Sequence, residues 1–173
     1  MRPSVLLDVV VLAGGLGSEE SLGDATGVPC VDVEPTAWPV VLRAAHDVGA
    51  WLDWLGGVDD GGGTGTTRVV ALLQTADEDV LVRTRVADGG ELPSVREVFE
   101  GADWHERETA EMLGVRFAGG DARPLLLPAG TTPPPLRRTT ALERRLTTEW
   151  PGAREGGRRR ARIPGVNREW EPR

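Results

Sequence analysis

The chain has 173 residues, which is enough for one domain with a hydrophobic core. Its formal net charge of −7 argues against nucleic acid as the main partner, because nucleic-acid-binding domains need a basic surface. The single cysteine, Cys30, excludes an internal disulfide and a cluster ligated only by cysteines of this chain, and it points to the cytoplasm. With two histidines, a zinc site would need mostly carboxylate ligands, so we expect no metal.

The N-terminal part of the chain is predicted to form two strands and a helix. Val5–Leu12 is apolar and β-branched and is followed by glycines, which predicts a strand that ends in a turn. Residues 31–33 are a candidate short strand. From Pro35 to about Asp47, apolar residues recur at helical spacing, which predicts a helix that Pro39 kinks or shortens.

The middle of the chain is predicted to be mostly strand. Residues 51–58 are a candidate strand, and the glycine-rich residues 61–65 are a loop. The continuous apolar run 69–73 suits a strand covered on both faces, whereas the alternation over residues 80–86 is typical of a half-exposed strand. The acidic residues 75–79 would join these two strands as a hairpin.

Two helix starts follow the hairpin. Ser94 with Glu97 has the spacing of a capping box, and Asp103 with Glu106 repeats that spacing with an aspartate cap. Gly114 is a predicted helix stop. The order of elements indicates an α+β fold, a single domain with a largely antiparallel sheet packed by helices.

The chain changes in character at residue 123. Residues 1–122 carry 8 Arg and 22 acidic residues, whereas residues 123–173 carry 12 Arg and 5 acidic residues. Prolines interrupt the second region, where only residues 140–148 have a helical pattern. We therefore expect an α+β domain over residues 1–122 and an extended proline- and arginine-rich C-terminal arm over residues 123–173.

Several motifs are weak candidates for chemistry. The glycines at 14–17 lack the third glycine of a dinucleotide site, and the loop at 61–65 lacks the lysine of a phosphate-binding loop. His46 and His105 have no nucleophile at a recognisable spacing, which favours a structural role for His46. The arginines at 158–160 could contact phosphates or anionic lipid headgroups, or they could form a solvated tail or contact an acidic neighbour.

The most informative segment is residues 104–117, with the sequence WHERETAEMLGVRF. In a helix, Trp104, Arg107, Glu108 and Glu111 share one side, while apolar residues are spread around the rest, which is not the pattern of a simple surface helix. Arg107 and Glu111 are four residues apart and are expected to pair. A helix contacted on several sides, partly by another protein, would explain a tryptophan among charges.

At these residues the chain resembles the C subunit of the respiratory NADH:quinone oxidoreductase, complex I, a family also found in related membrane-bound hydrogenases. The residues that match the hallmark of this family are Trp104, Glu106, Arg107, Glu108, Glu111, Met112, Leu113, Gly114, Val115 and Phe117. A second matching motif consists of Pro135, Leu136, Arg137 and Arg138. The likeness covers roughly residues 31–140, with a core at about 31–122. The sequence departs from the family at residues 119–121, which read Gly-Gly-Asp where Gly-His-Pro is usual.

The resemblance implies a non-catalytic subunit of the cytoplasmic hydrophilic arm of a proton-pumping complex, peripheral on the cytoplasmic side of the cell membrane. Its partners would be the subunits with the quinone site and the terminal iron–sulfur cluster. This chain would hold no cofactor and no active site, and flavin, clusters and quinone would lie in partner subunits. It would support electron transfer from NADH to quinone by positioning those subunits, with the hallmark residues and the 135–138 motif at or beside interfaces.

Two alternatives stay open at this point. The chain could be the equivalent subunit of a membrane-bound hydrogenase, or a stand-alone binding module whose basic tail meets nucleic acid or lipid. The sequence also leaves open the electron donor, the quinone type, and whether the chain is the principal copy of the subunit or a divergent paralogue.

Overall fold

A computed structural model describes residues 5–16, 27–61 and 65–141, and one compact unit spans Met1–Thr140. Within the described residues, the helices are α1 (Val5–Leu12), α2 (Trp38–Asp47) and α3 (Ala102–Leu113), and the strands are β1 (Cys30–Asp32), β2 (Trp51–Asp59), β3 (Thr66–Gln74), β4 (Asp79–Ala87), β5 (Glu91–Pro93) and β6 (Arg116–Ala118). None of these helices is both long and apolar enough to span a bilayer.

The main sheet has four strands in the order β1-β4-β3-β2. Strands β2, β3 and β4 are antiparallel neighbours, and β1 runs parallel to β4. A separate parallel pair joins β5 to β6 just before and just after α3. This largely antiparallel sheet with packed helices confirms the predicted α+β class, and β2, β3 and β4 confirm the strands predicted at 51–58, 69–73 and 80–86.

One face of the sheet forms the core with the helices. The cross-strand pairs Leu73–Val80 and Ala71–Val82 are fully buried on this face. Trp38 of α2 is also fully buried in the core. Helix α3 lies close to β2, because a Cβ at Gly57 would be 2.5 Å from Leu113 Cδ1. The absence of a side chain at Gly57 therefore sets the distance between α3 and the sheet.

The strand predicted for Val5–Leu12 is wrong, since this segment is helix α1. Leu6 and Val10, four residues apart, share the buried side of the helix. The Glu78 carboxylate accepts the backbone N–H groups of Val5 at 3.1 Å and Leu6 at 2.8 Å. An acid at the first turn of a helix offsets its unpaired amides, so a distant residue stabilises a helix that β-branched residues disfavour locally.

The two predicted capping boxes are also wrong. The segment after Ser94 forms turns, and the Ser94 hydroxyl lies 2.6 Å from Glu106 Oε2. Helix α3 begins at Ala102 after Gly101, without a side-chain cap, so Asp103 lies inside the first turn. Gly114 does end the helix, with a left-handed φ of 78° that favours glycine.

Two further expectations need adjustment. Helix α2 begins at Trp38, with Pro39 in its first turn, and not at Pro35. Strand β4 is more buried than its alternating sequence suggests, because Arg83 is only 5% exposed. Its guanidinium binds the Asp32 carboxylate of β1 through two contacts of 2.5 and 2.6 Å. The pairing with Asp32 compensates for the burial of this charge.

Residues 119–141 contain no helix or strand and return along α3 and the ends of β2 and β3. The helix predicted for residues 140–148 lies outside the described residues beyond 141, as does the arginine cluster at 158–160. The predicted glycine loop at 61–65 is described only at its ends.

Candidate functional site

Helix α3 places the hallmark residues on two opposite sides. Its buried side consists of Ala102, Glu106, Thr109 and Leu113, which recur at helical spacing and face β2 and the core. Trp104 and Glu108 lie on the exposed side. The hallmark is therefore divided between the interior of the domain and its surface.

Glu106 is a buried carboxylate that fixes the turn before α3. It is 2% exposed, and its oxygens accept the Val95 N–H at 2.7 Å and lie 2.6 Å from the Ser94 hydroxyl. Burial raises the pKa of Glu106 above its ordinary value, and the hydrogen bonds from Ser94 and Val95 oppose this shift. The loop after β6 passes close by, since a Cβ at Gly120 would be 3.2 Å from Glu106 Oε2.

Glu111 holds the leucine run that follows the sheet. Its carboxylate accepts the backbone N–H groups of three consecutive residues, Leu125, Leu126 at 2.8 Å and Leu127 at 3.1 Å. These backbone amides lower the pKa of Glu111, because they stabilise its charged form. A single side chain thus satisfies the donors of a segment that has no secondary structure of its own.

Arg107 holds the same segment through its carbonyl groups. Its Nε donates to the Arg123 carbonyl at 2.9 Å and its Nη2 donates to the Pro124 carbonyl at 2.7 Å. The expected ion pair with Glu111 is wrong, because the two side chains bind neighbouring parts of the returning chain instead of each other. Arg107 also lies 3.9 Å from Asp103 and 5.6 Å from the centroid of a Trp104 ring.

The loop that departs from the family contains a local ion pair. Asp121 accepts the Arg123 N–H at 2.9 Å and the Arg123 Nε at 2.7 Å. The Arg123 guanidinium lowers the pKa of Asp121 to about 2. This pair stabilises the backbone whose carbonyl groups Arg107 binds.

The 135–138 motif is attached to the end of the sheet. The Leu136 N–H donates to the Met112 carbonyl at 3.0 Å, and Arg137 Nη1 donates to Thr67 Oγ1 at 2.6 Å. Arg137 also pairs with Asp88. These partners place the Arg137 guanidinium beside both β3 and the turn after β4.

Asp59 connects the same motif to β2. Its carboxylate accepts the Gly61 N–H and the Arg138 N–H, each at 2.9 Å. These two backbone amides are the main cause of a lowered pKa at Asp59. The backbone of Arg138 is therefore fixed, although Arg138 itself is an exposed residue.

The predicted site residues fall into two groups. Glu106, Arg107, Glu111 and Arg137 bind within the chain, and Gly114 ends α3. Phe117 is half-buried against the core. The residues left at the surface are Trp104, which is 63% exposed, Leu136, which is 62% exposed, and Glu108, Pro135 and Arg138. Asp88 and Thr67 were not identified from sequence, because they lie 49 and 70 positions from Arg137.

The described residues offer little for a metal or a small ligand. No group of three or more His, Cys, Asp or Glu among them is arranged to hold a metal ion. His46 is exposed and stacks edge-on to Phe99 at 5.4 Å. A shallow groove of about 330 Å³ is lined by Pro39, Val40, Arg43, Ser94, Glu97 and Val98.

Residues 31–145 match the family described as respiratory-chain NADH dehydrogenase, 30 Kd subunit. The chain belongs to this family. Membership confirms the resemblance read from the hallmark and from the 135–138 motif, both of which lie inside the matched range.

The chain is also similar to subunits of NAD(P)H-quinone oxidoreductase, and it shares its fold with a chain of one solved structure. The NAD(P)H-quinone oxidoreductase subunit J of Synechococcus sp. (strain WH7803) is 33% identical over 128 residues, which cover 66% of this chain and 70% of the relative. The subunit J of Prochlorococcus marinus (strain NATL2A) is 29% identical over 126 residues, covering 66% and 73%. A chain of the membrane-bound sulfane sulfur reductase, an archaeal respiratory membrane complex, shares the fold with a TM-score of 0.56 and 18% identity, over 68% of this chain and 70% of that one.

Proposed function

We propose that this member of the 30 kDa family is a cofactor-free structural subunit of the cytoplasmic hydrophilic arm of a proton-pumping NADH:quinone oxidoreductase. It positions the quinone-site subunit and the terminal iron–sulfur cluster subunit, and it reaches the membrane only through the complex. The flavin, the clusters and the quinone belong to partner subunits.

The observation that carries this proposal is that the charged side chains of the hallmark bind backbone groups of their own chain. Glu106, Arg107 and Glu111 bind backbone groups of the turn before α3 and of the segment after it. Groups used in this way stabilise a fixed shape and are not free to perform acid–base chemistry on a substrate. A rigid surface suits a subunit that keeps neighbouring redox centres at a productive separation.

Affinity purification of the tagged full-length chain from mildly solubilised membranes tests the proposal. We expect the NADH-oxidising module, the quinone-site subunit and the terminal cluster subunit to be recovered together. Recovery of a nickel-bearing large subunit without an NADH-oxidising module would assign the chain to a hydrogenase instead. A solitary monomer in these membranes would reject any role as a subunit.

A second measurement separates positioning from catalysis. Membranes that lack the chain should lose NADH oxidation coupled to quinone reduction, and should retain more of the NADH oxidation by a soluble artificial acceptor, because the latter reaction does not need the quinone site. The chain expressed alone should contain no stoichiometric flavin, nucleotide or iron. Bound cofactor at that level would contradict the assignment.

A further inference from the structure

The exposed side of α3 carries Trp104 and Glu108, and the turn before the helix carries Glu100; neither carboxylate has a partner among the described residues. Trp104 and Glu108 are four residues apart on this side, and Glu100 precedes Trp104 by the same interval in the turn that leads into the helix. Trp104 and Glu108 are therefore neighbours on the helix surface. We call Glu100, Trp104 and Glu108 the outer stripe.

Among the described residues, the outer stripe has no partner that would account for its composition. In the part of the chain that the structure describes, the Glu100 and Glu108 carboxylates form no hydrogen bond or ion pair. Trp104 is 63% exposed, even though Arg107 lies against its ring. The stripe therefore differs from the neighbouring Glu106 and Glu111, whose carboxylates bind backbone groups of this chain.

The charge around the stripe selects the kind of partner. Residues 100–108 contain four acidic residues, of which Glu106 is buried and Asp103 lies 3.9 Å from both Arg96 and Arg107, so Glu100 and Glu108 are the acids left without a basic partner among the described residues. The N-terminal end of α3 contributes only about half a positive charge, which these acids outnumber. The unpaired carboxylates of Glu100 and Glu108 favour cationic side chains over phosphate-bearing partners such as nucleic acid or anionic lipid.

The tryptophan narrows the choice to arginine. A guanidinium is planar, stacks on an indole ring and binds carboxylates with two parallel hydrogen bonds, whereas an ammonium group cannot do all three. The chain already shows such a contact, because the Arg107 guanidinium lies 5.6 Å from a Trp104 ring centroid. A second guanidinium against the exposed part of this indole would lie beside the Glu108 carboxylate, one turn further along α3, with Glu100 in the turn before the helix.

We propose that the outer stripe is the docking site for an arginine-bearing segment of a neighbouring subunit, with the guanidinium stacked on Trp104 and bound by Glu100 or Glu108. This inference rests on the proposed function, because it needs a partner polypeptide. It adds the chemistry of the partner and assigns to Trp104 the central contact.

Photo-cross-linking in the assembled complex tests the partner directly. The probe is p-benzoylphenylalanine in place of Trp104 in the tagged full-length chain, with the cross-linked peptide identified by mass spectrometry. We expect a cross-link to another subunit at a peptide that contains arginine within a few residues of the modified position. A cross-link to a peptide without basic residues, to lipid or within the chain itself would overturn the inference, as would an assembled complex with no cross-link.

Substitutions in the stripe test the energetics. Trp104→Ala should weaken partner binding by roughly 30-fold, the loss typical of a tryptophan at the centre of an interface. Glu108→Arg should also release the partner, and Glu108→Gln should make its retention less sensitive to salt, since one charge pair is removed. Trp51→Ala is the matched control, because Trp51 is a tryptophan of β2 that is 49% exposed and does not belong to the stripe.

The outcomes distinguish this inference from the proposed function. If the wild-type chain recovers no partner subunit, the proposed function fails and the inference fails with it. If the wild-type and Trp104→Ala chains recover the same partners equally well after a high-salt wash, the proposed function stands and the docking role of the stripe is rejected. Unfolding curves of each variant, compared with the wild-type curve, exclude a loss of fold as the cause of weaker recovery.

Discussion

Replacement of Glu106 should separate the hydrogen bonds of a buried carboxylate from the effect of its charge. In Glu106→Ala, the buried Val95 N–H and the Ser94 hydroxyl each lose the carboxylate oxygen to which they donate. An unsatisfied buried donor costs about 1–3 kcal/mol, and relief of the buried charge offsets part of this, so we expect a net loss of about 1–2 kcal/mol of unfolding free energy. Glu106→Gln keeps an acceptor for Val95 and a donor for Ser94, and should stay within about 1 kcal/mol of the wild type.

The stability difference between the wild type and Glu106→Gln should depend on pH, in a direction that the pKa of Glu106 sets. Because burial raises the pKa of Glu106 in the folded state, the unfolded state ionises more readily than the folded one. The stability linked to Glu106 is therefore fully present below its unfolded pKa, and it decreases as the pH rises through the folded pKa. Glu106→Gln has no such titration, so its stability relative to the wild type should increase over that pH range.

Urea unfolding of the full-length chain, followed by circular dichroism at several pH values, measures these differences. Equal m-values among the variants would show that the comparison concerns stability alone. Two results would refute the reasoning. The first is an alanine variant as stable as the glutamine variant, and the second is a stability difference between Glu106→Gln and wild type that does not change with pH.

Three further substitutions follow from the contacts. Gly57→Ala should destabilise the chain by about 1–3 kcal/mol, because a Cβ there would lie 2.5 Å from the Leu113 side chain of α3. In Gly56→Ala the new Cβ would meet the indole of Trp54, which is partly exposed and can move. Calorimetry should therefore show a smaller loss of stability for Gly56→Ala than for Gly57→Ala. Asp32→Ala should cost on the order of 3 kcal/mol in urea unfolding, because it removes the carboxylate from an Arg83 that is 5% exposed. Glu111→Gln should speed hydrogen exchange at the three backbone amides that Glu111 binds, without unfolding the sheet.

For each of these predictions, one result would contradict the reasoning. Equal destabilisation by the two glycine substitutions would mean that the approach of α3 to β2 is not limited by Gly57. An Asp32→Ala variant as stable as the wild type would show that Arg83 does not depend on this carboxylate. Unchanged exchange in Glu111→Gln would show that the leucine run is held by its other contacts.

Local patterns predicted the long strands β2, β3 and β4, because alternation and apolar runs report which face of a sheet a residue occupies, but they did not predict the three-residue strands β5 and β6. They failed for Val5–Leu12, since an apolar run of eight residues suits a strand or a buried helix equally, and the acid that caps this helix, Glu78, is 72 positions from Leu6. They failed at Ser94 for a related reason. Its hydroxyl has the spacing of a cap, but the carboxylate that binds it comes from Glu106, twelve positions later.

The hallmark residues could be identified from sequence, but the sequence did not show which of their side chains point into the core and which point to solvent. Glu106 and Glu108 are two positions apart in the same triplet, yet Glu106 is 2% exposed and Glu108 lies at the surface. The packing of α3 against β2 decides which of them points inward, and that packing depends on contacts distant in sequence. Likewise, the i,i+4 spacing of Arg107 and Glu111 predicted an ion pair, because the returning segment that binds both side chains was not visible in the helix itself.

The residues of α3 that bind within the chain should also affect how tightly a partner binds to the outer stripe. Association requires that flexible groups be ordered, and each ordered side chain or loop lowers the affinity that its contacts would otherwise provide. Arg107 and Glu111 order residues 123–127 before any partner binds, and Arg107 also restricts the indole of Trp104. A change such as Arg107→Lys, which would keep the charge and lose the two-pronged contact with the carbonyl groups, should therefore weaken docking at Trp104 without removing any atom of the outer stripe.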